Sequence, residues 1–218
     1  MTRNLKHLFL AGAAAVVVAA VVAPSALAAP PNFNSEVEPW KFEGTQVVPL
    51  IVTVEGGVGI KCSSAEFFGT NATKVSETIT SFATFTGCKF AGQNASVFTN
   101  GCSFTFRLVN ASNPPSSKLT IECPAGKEIE VSSEKFACTV LIGENFGLGN
   151  VGWTNEGAGA TRDLLSSWVV SKMIYEEKGK GCVKEGVFSN GEITGTATFK
   201  GYKDEGGVKG AQVGIWAA

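Results

Sequence analysis

From residue 40 onward, apolar and polar residues alternate in short runs that Gly, Asn and Pro interrupt. This is the period-two pattern of half-buried β-strands. The clearest run is Glu192-Ile-Thr-Gly-Thr-Ala-Thr-Phe-Lys200. Every even position there is polar, while Ile193, Ala197 and Phe199 face the other way. Residues 128–131 and 136–142 alternate similarly. Residues 47–54 are apolar on both faces except at Thr53, which predicts a central strand. Asn100-Gly101 separates residues 95–99 from 102–109 and predicts a tight hairpin. Asn190-Gly191 precedes the strand over 192–200, and a last strand is expected over 211–216.

One hairpin carries its own register. The turn-rich stretch Asn110-Ala-Ser-Asn-Pro-Pro-Ser-Ser lies between Cys102-Ser-Phe-Thr-Phe-Arg-Leu and Lys-Leu-Thr-Ile-Glu-Cys123. Centring the hairpin near Asn113 places Cys102 opposite Cys123. One face then collects Phe104, Phe106, Leu108, Leu119 and Ile121. Ser103, Thr105, Arg107, Lys118, Thr120 and Glu122 face outward. Alternation and cysteine pairing agree, which supports both. Cys62 and Cys88 bracket a second hairpin-like segment, leaving Cys138 and Cys182. Six cysteines allow about 15 connectivities. The reading adopted is sequential: 62–88, 102–123 and 138–182.

Residues 161–177 fit two patterns. Leu165, Val169 and Met173 have helical spacing, but Trp168-Val-Val and Ile174-Tyr175 are strand formers. Among so many strands, a long strand is the expectation. Residues 29–39 hold Pro30, Pro31 and Pro39 without periodicity and read as a flexible lead-in. No linker interrupts residues 40–218. The predicted fold is all-β: a single antiparallel β-sandwich domain, immunoglobulin-like or jelly-roll-like, of ten or more short strands stapled by disulfides.

The first 28 residues read differently. Arg3, Lys6 and His7 precede an apolar run from Leu8 to Val22. Pro24 and Ser25 break the run, and Ala26-Leu27-Ala28 is a small-x-small site. This predicts a secretory signal peptide cleaved before Ala29. A retained anchor is the rival, but the run falls short of the roughly 20 residues that span a bilayer. No cysteine follows the site to carry a lipid. Cleavage leaves 190 of the 218 residues, secreted and with no membrane attachment. An even cysteine count in an exported chain implies disulfides.

Cleavage also changes the chemistry. Arg3 and Lys6 are lost, so 16 basic groups face 19 acidic ones, a net charge of −3. That balance argues against nucleic acid as a partner. The only histidine, His7, goes too. A mature chain without histidine excludes Ser-His-Asp and Cys-His catalysis and histidine metal ligands. With no CxxC pair and no Asp-rich loop, no metal site is expected. Gly147-Leu-Gly149 lacks the rest of a phosphate-loop motif, so no cofactor is expected either.

Several motifs resemble a family of secreted, cysteine-containing, mostly β actinobacterial proteins. They are Ile60-Lys-Cys62, Phe85-Thr-Gly-Cys88, Asn100-Gly-Cys-Ser-Phe-Thr-Phe106 and Leu119-Thr-Ile-Glu-Cys-Pro-Ala-Gly-Lys-Glu-Ile-Glu-Val131. Gly195-Thr-Ala-Thr-Phe-Lys-Gly201 and Val213-Gly-Ile-Trp216 are similar too. The resemblance implies a secreted, disulfide-bonded, mostly β protein. It implies no activity and no catalytic residues. It favours a strand over 162–175, although Leu164, Leu165, Trp168 and Met173 depart from the family's Thr/Val-rich stretch. It also makes the Asn-x-Ser/Thr sites at Asn71, Asn94 and Asn110 chance matches, since it points to a bacterium.

Candidate chemistry is sparse. The mature chain has two Asp, Asp163 and Asp204, and 17 Glu. Glu128 and Glu130 share a strand face, and Glu176 and Glu177 are adjacent. A glycosidase needs two carboxyl groups at a set separation, whereas Glu at i and i+2 is ordinarily a solvated face. Ser117-Lys118 and Ser171-Lys172 are adjacent on strands and point oppositely, so neither reads as a dyad. Trp153, in the loop-like Gly152-Trp-Thr-Asn-Glu-Gly157, is the ligand-binding candidate, against the alternative of a Trp closing the end of the sandwich. The expectation is a non-enzymatic exported protein with a structural or surface-interaction role. The alternatives are a carbohydrate- or small-ligand-binding module using exposed aromatics and a Glu-dependent hydrolase. A protein or glycan surface is the expected partner.

Overall fold

The computed structural model describes residues 30–133 and 135–218, so the signal peptide expected over 1–28 lies outside the described residues. Among the described residues every long element is a strand. In chain order they are β1 (Phe33–Ser35), β2 (Trp40–Val54), β3 (Val58–Lys61), β4 (Ser64–Asn71), β5 (Val75–Ser76), β6 (Thr78–Thr86), β7 (Cys88–Phe90), β8 (Gln93–Phe98) and β9 (Ser103–Asn110). Then follow β10 (Ser116–Glu122), β11 (Ile129–Ser133), β12 (Cys138–Ile142), β13 (Asn145–Glu156), β14 (Asp163–Lys178), β15 (Gly186–Glu205), β16 (Val208–Val213) and β17 (Ile215–Ala217). The fold is antiparallel, sandwich-like and all-β, as the alternation predicts. Residues 161–177 are strand rather than helix.

Strands β2, β14 and β15 form a spine, with β15 paired to both others. The two outer spine strands each change partner along their length. β2 pairs with β4 through its first half and β3 through its last residues. β14 pairs with β13 over Asp163–Val169 and with β12 over Glu176–Lys178. Two closed circuits result. One runs β2-β4-β6-β9-β10-β13-β14-β15 and the other β2-β3-β7-β8-β11-β12-β14-β15. We call them the first and second rings. A small separate sheet, β17-β1-β5, closes one end.

The switch points show how the sequence permits this. Lys172 in β14 has φ 63°, at a register break between Val170 and Met173. Asn145 repairs the backbone there. Its Oδ1 accepts the Ile174 N–H at 2.7 Å and its Nδ2 donates to the Ile174 carbonyl at 2.9 Å. In β2, Val47 and Val48 fall between the partners β4 and β3. They are 62% and 51% exposed, so the two-faced burial expected of residues 47–54 holds only in part. Breaks in the β2–β15 register near Thr196 turn these residues outward.

Inward positions of both rings merge into one core. Phe199 is its hub, with ring centroids at 5.5 Å from Trp153, 5.6 Å from Phe67, 6.0 Å from Phe42 and 6.2 Å from Phe106. Gly44 lies beneath this hub. A Cβ there would sit 2.7 Å from the Phe199 ring. At the junction of the rings is an apolar cavity of about 60 Å³, bordered by Phe67, Phe104 and Ile121 from one side and Ile60, Val131 and Ile142 from the other.

The three disulfides are Cys62–Cys88, Cys102–Cys123 and Cys138–Cys182. The β9–β10 register matches the expected hairpin, with Phe104 opposite Ile121 and Phe106 opposite Leu119. Each bridge is worth about 2–4 kcal/mol through the unfolded chain. Two expectations need correction. Asn100 and Gly101 do form a turn with φ of 51° and 83°, closed by Cys102 N–H donating to the Thr99 carbonyl at 2.8 Å. Yet β8 pairs with β7 and β11, and β9 with β6 and β10. The turn passes the chain between rings instead of closing a hairpin. The flexible lead-in over 29–39 is also partly structured: β1 pairs with β17 and β5, and Phe33 is fully buried against Trp153.

Phe199→Ala is expected to lower unfolding stability by about 3–5 kcal/mol, against less than about 1 kcal/mol for the half-exposed Phe68→Ala. Urea unfolding of the two variants measures the contrast.

Candidate functional site

Trp153 does not present a binding surface. It lies at an inward position of β13, is fully buried, and packs on Phe33, Phe106 and Phe199. Its indole N–H donates to the Ser117 Oγ at 2.8 Å. Trp in a Gly-rich context looked loop-like in sequence, but β13 is a 12-residue strand whose inward face takes the ring. Ser117 is thereby occupied in the core, not paired with Lys118.

Exposed aromatics occur elsewhere. Phe68 on β4 and Phe82 on β6 are directly opposed on the outer face of the first ring. They are 47% and 43% exposed, with centroids 6.0 Å apart and planes inclined by 30°. Strand alternation sets them outward, since Phe67 and Ala83 are buried. Their surroundings are polar. Glu43 of β2 neighbours Phe68 and accepts from Lys209 at 2.8 Å. On β6 and β9, the Thr80 and Thr105 hydroxyls share a hydrogen bond of 2.9 Å. The Phe- and Thr-rich runs over residues 65–69 and 78–86 were the available signal for this pair.

The second ring holds an acidic cluster. Glu177 of β14 is only 2% exposed. Burial pushes its carboxyl above the usual 4.5. The backbone N–H of Lys184 opposes the rise, and the charge of Glu55 adds to it. Tyr175, two residues earlier on the same face, is pushed up from 10.0 to about 12 by burial and then by the charge of Glu177. The Tyr175 hydroxyl donates to the Asn190 Oδ1 at 3.0 Å, and the Asn190 Nδ2 donates to the Glu55 Oε2 at 2.8 Å. Glu176 points oppositely and pairs with Lys178 at 2.8 Å. Asn190 is thus inside β15, which begins at Gly186, and its amide links Tyr175 of β14 to Glu55 after β2. Glu55 follows β2, far from Glu177 in sequence, so no local motif signalled the cluster.

Glu177 also lies beside the Cys138–Cys182 bridge, the three ligand atoms being within 4.8 Å of one another. The sulfurs are bonded to each other, which leaves no thiolate for a metal. Glu177 opens instead into a half-enclosed cleft of about 160 Å³. Its walls are Val58, Phe90, Ala91, Phe136, Gly181, Cys182 and Val183.

Among the described residues no helix is long and apolar enough to cross a membrane. No family model, curated protein or solved structure matches the chain.

Two outcomes follow from the cluster. In a Tyr202→Phe variant, the remaining tyrosine absorbance is expected to titrate near pH 12 rather than 10. Because the folded-state pKa of Glu177 is raised, its stabilising contribution is complete below about pH 4.5 and is lost as pH rises through the raised value. Wild type is therefore expected to lose stability relative to Glu177→Gln on going from about pH 4.5 toward neutrality. Urea midpoints across that range test it, and a pH-independent difference would contradict it.

Proposed function

We propose that this is an exported, non-enzymatic protein that acts by surface contact, and that the contact is made through the outer face of the first ring. The Phe68–Phe82 pair carries the reading. Two large apolar rings stand in a Thr/Glu/Lys surface, where an ordinary solvated face would be polar. They are mounted on strands, so they are presented with little loss of side-chain freedom on binding. The six cysteines, all in disulfides, support an oxidising compartment for the folded chain. Export by a signal peptide ending at Ala28, with extracellular release, accounts for that.

Two exposed rings side by side, centroids 6.0 Å apart and planes inclined by 30°, favour a second reading, a carbohydrate-binding module. Sugar rings stack on aromatic faces held at a common inclination, and the neighbouring Thr and Glu side chains supply hydrogen bonds to hydroxyls. A Glu-dependent hydrolase has less support. Glu55 and Glu177 do approach one another, but the cleft onto which Glu177 opens is otherwise apolar in its side chains and offers no partners for a polar substrate.

The test is retention of the mature chain, residues 29–218, on a glycan array and on cell-wall and cell-surface preparations, beside a Phe68→Ala, Phe82→Ala double variant of unchanged circular dichroism. At least a tenfold loss of retention in the double variant is expected. Loss on glycans selects the carbohydrate reading, and loss on protein surfaces alone selects the first. Equal retention of both proteins would overturn the proposed face.

A further inference from the structure

We propose that the cleft over Glu177 is a binding site for a small alkylammonium group, the apolar chain lying between Phe90, Phe136 and Val183 and the ammonium on the Glu177 carboxylate. The site is independent of the aromatic face described above. It lies on the second ring and uses none of the same residues.

Four observations carry this. The cleft is a real concavity of about 160 Å³, a volume suited to a chain of a few carbon atoms. Among the described residues Glu177 is its one charged wall residue, and it is almost wholly buried. No Lys or Arg lies within ion-pair distance of Glu177 among the described residues. Two of the remaining walls are phenyl rings, whose faces attract cations. A buried carboxylate without a cation is costly. A ligand that brings an ammonium N–H to it forms a charge-assisted hydrogen bond where water is scarce. An alcohol of the same length offers no charge, and a carboxylic acid of the same length meets repulsion.

The cleft is also held open before any ligand arrives. The loop after β14 is tied by Cys138–Cys182, by the Gly181 N–H donating to the Ala137 carbonyl at 3.1 Å, and by the Gly179 N–H donating to the Glu185 Oε1 at 2.7 Å. Val183 stands at the mouth, 65% exposed, and packs beside Gly56. Little ordering is left to be opposed by binding energy.

Among the described residues, the charged and titratable groups around Glu177 are Glu55 after β2, Tyr175 on β14 and Lys184 in the loop, whose ammonium lies over the Phe188 ring at 5.9 Å. Glu55 reinforces the attraction for a cation. Protonation of Glu177 removes it, so affinity is expected to weaken as pH falls through the raised pKa of that carboxyl.

The experiment is a titration of the ¹⁵N-labelled mature protein with n-butylammonium chloride, n-butanol and sodium butyrate, read from amide shifts. Butylammonium is expected to move the amides of Gly181, Cys182 and Val183, and to bind at least tenfold more tightly than butanol. Butyrate is expected to leave them unmoved. In Glu177→Gln the preference for the amine over the alcohol should fall to within about twofold, a readout internal to one folded protein. Val183→Trp, which fills the mouth and keeps the carboxylate, should weaken butylammonium binding at least fivefold. Butanol binding as tightly as the amine, an unchanged preference in Glu177→Gln, or the absence of saturable shifts at these amides would each overturn the site.

Discussion

Pairing of strand edges is the constraint on which the rest of this structure depends. An unpaired edge exposes a row of N–H and C=O groups to any other chain. Here the long strands β2, β14 and β15 solve the problem for two rings at once. Each outer spine strand supplies hydrogen bonds to one ring over part of its length and to the other beyond a break in register. The cost of the breaks falls at defined places. Lys172 adopts a left-handed backbone, Asn145 answers the orphaned groups of Ile174, and Val47 and Val48 are left facing solvent.

The core follows from that frame. Inward positions on eight strands converge, and the aromatic residues of the chain fill them: Trp40, Phe42, Phe67, Phe106, Trp153, Trp168 and Phe199 are all buried. Buried Trp needs a partner for its N–H. Each finds one, at the Thr73 carbonyl, the Ser117 hydroxyl and the Ser166 hydroxyl. With these seven aromatics spent on packing, the exposed pair Phe68–Phe82 and the carboxylate-floored cleft over Glu177 stand out as two chemically different places where this scaffold can meet another molecule. One is flat and aromatic, the other concave and acidic.

Local signals in the chain were legible and nonlocal ones were not. Alternation over residues 192–200 predicts strand and face correctly, and the Cys102-to-Cys123 segment predicts register as well, because face depends only on period two and that register only on a nearby partner. Cys62–Cys88 and Cys102–Cys123 follow from such hairpin-like segments, and Cys138–Cys182 is the pair that remains. Asn100-Gly101 shows the limit. Its turn geometry is local and forms as expected, but the partners of β8 and β9 are chosen by distant strands. Ring closure rests on pairings such as Phe199 with Gly44, which no local pattern reveals. The same holds for Glu177 and Glu55, and for Trp153, whose Gly-rich neighbours mask a strand. Phe68 and Phe82 were accessible to alternation alone once the strand boundaries were known.

A shared spine makes the two rings one cooperative unit. Native-state hydrogen exchange in rising urea tests this most directly, comparing amides of β9 and β10 in the first ring with those of β11 and β12 in the second. Loss of protection in both sets at one urea concentration, with one common opening free energy, is the expected result. Exchange of β11 and β12 by a separate opening well below the global transition, while β9, β10 and the spine stay protected, would contradict it.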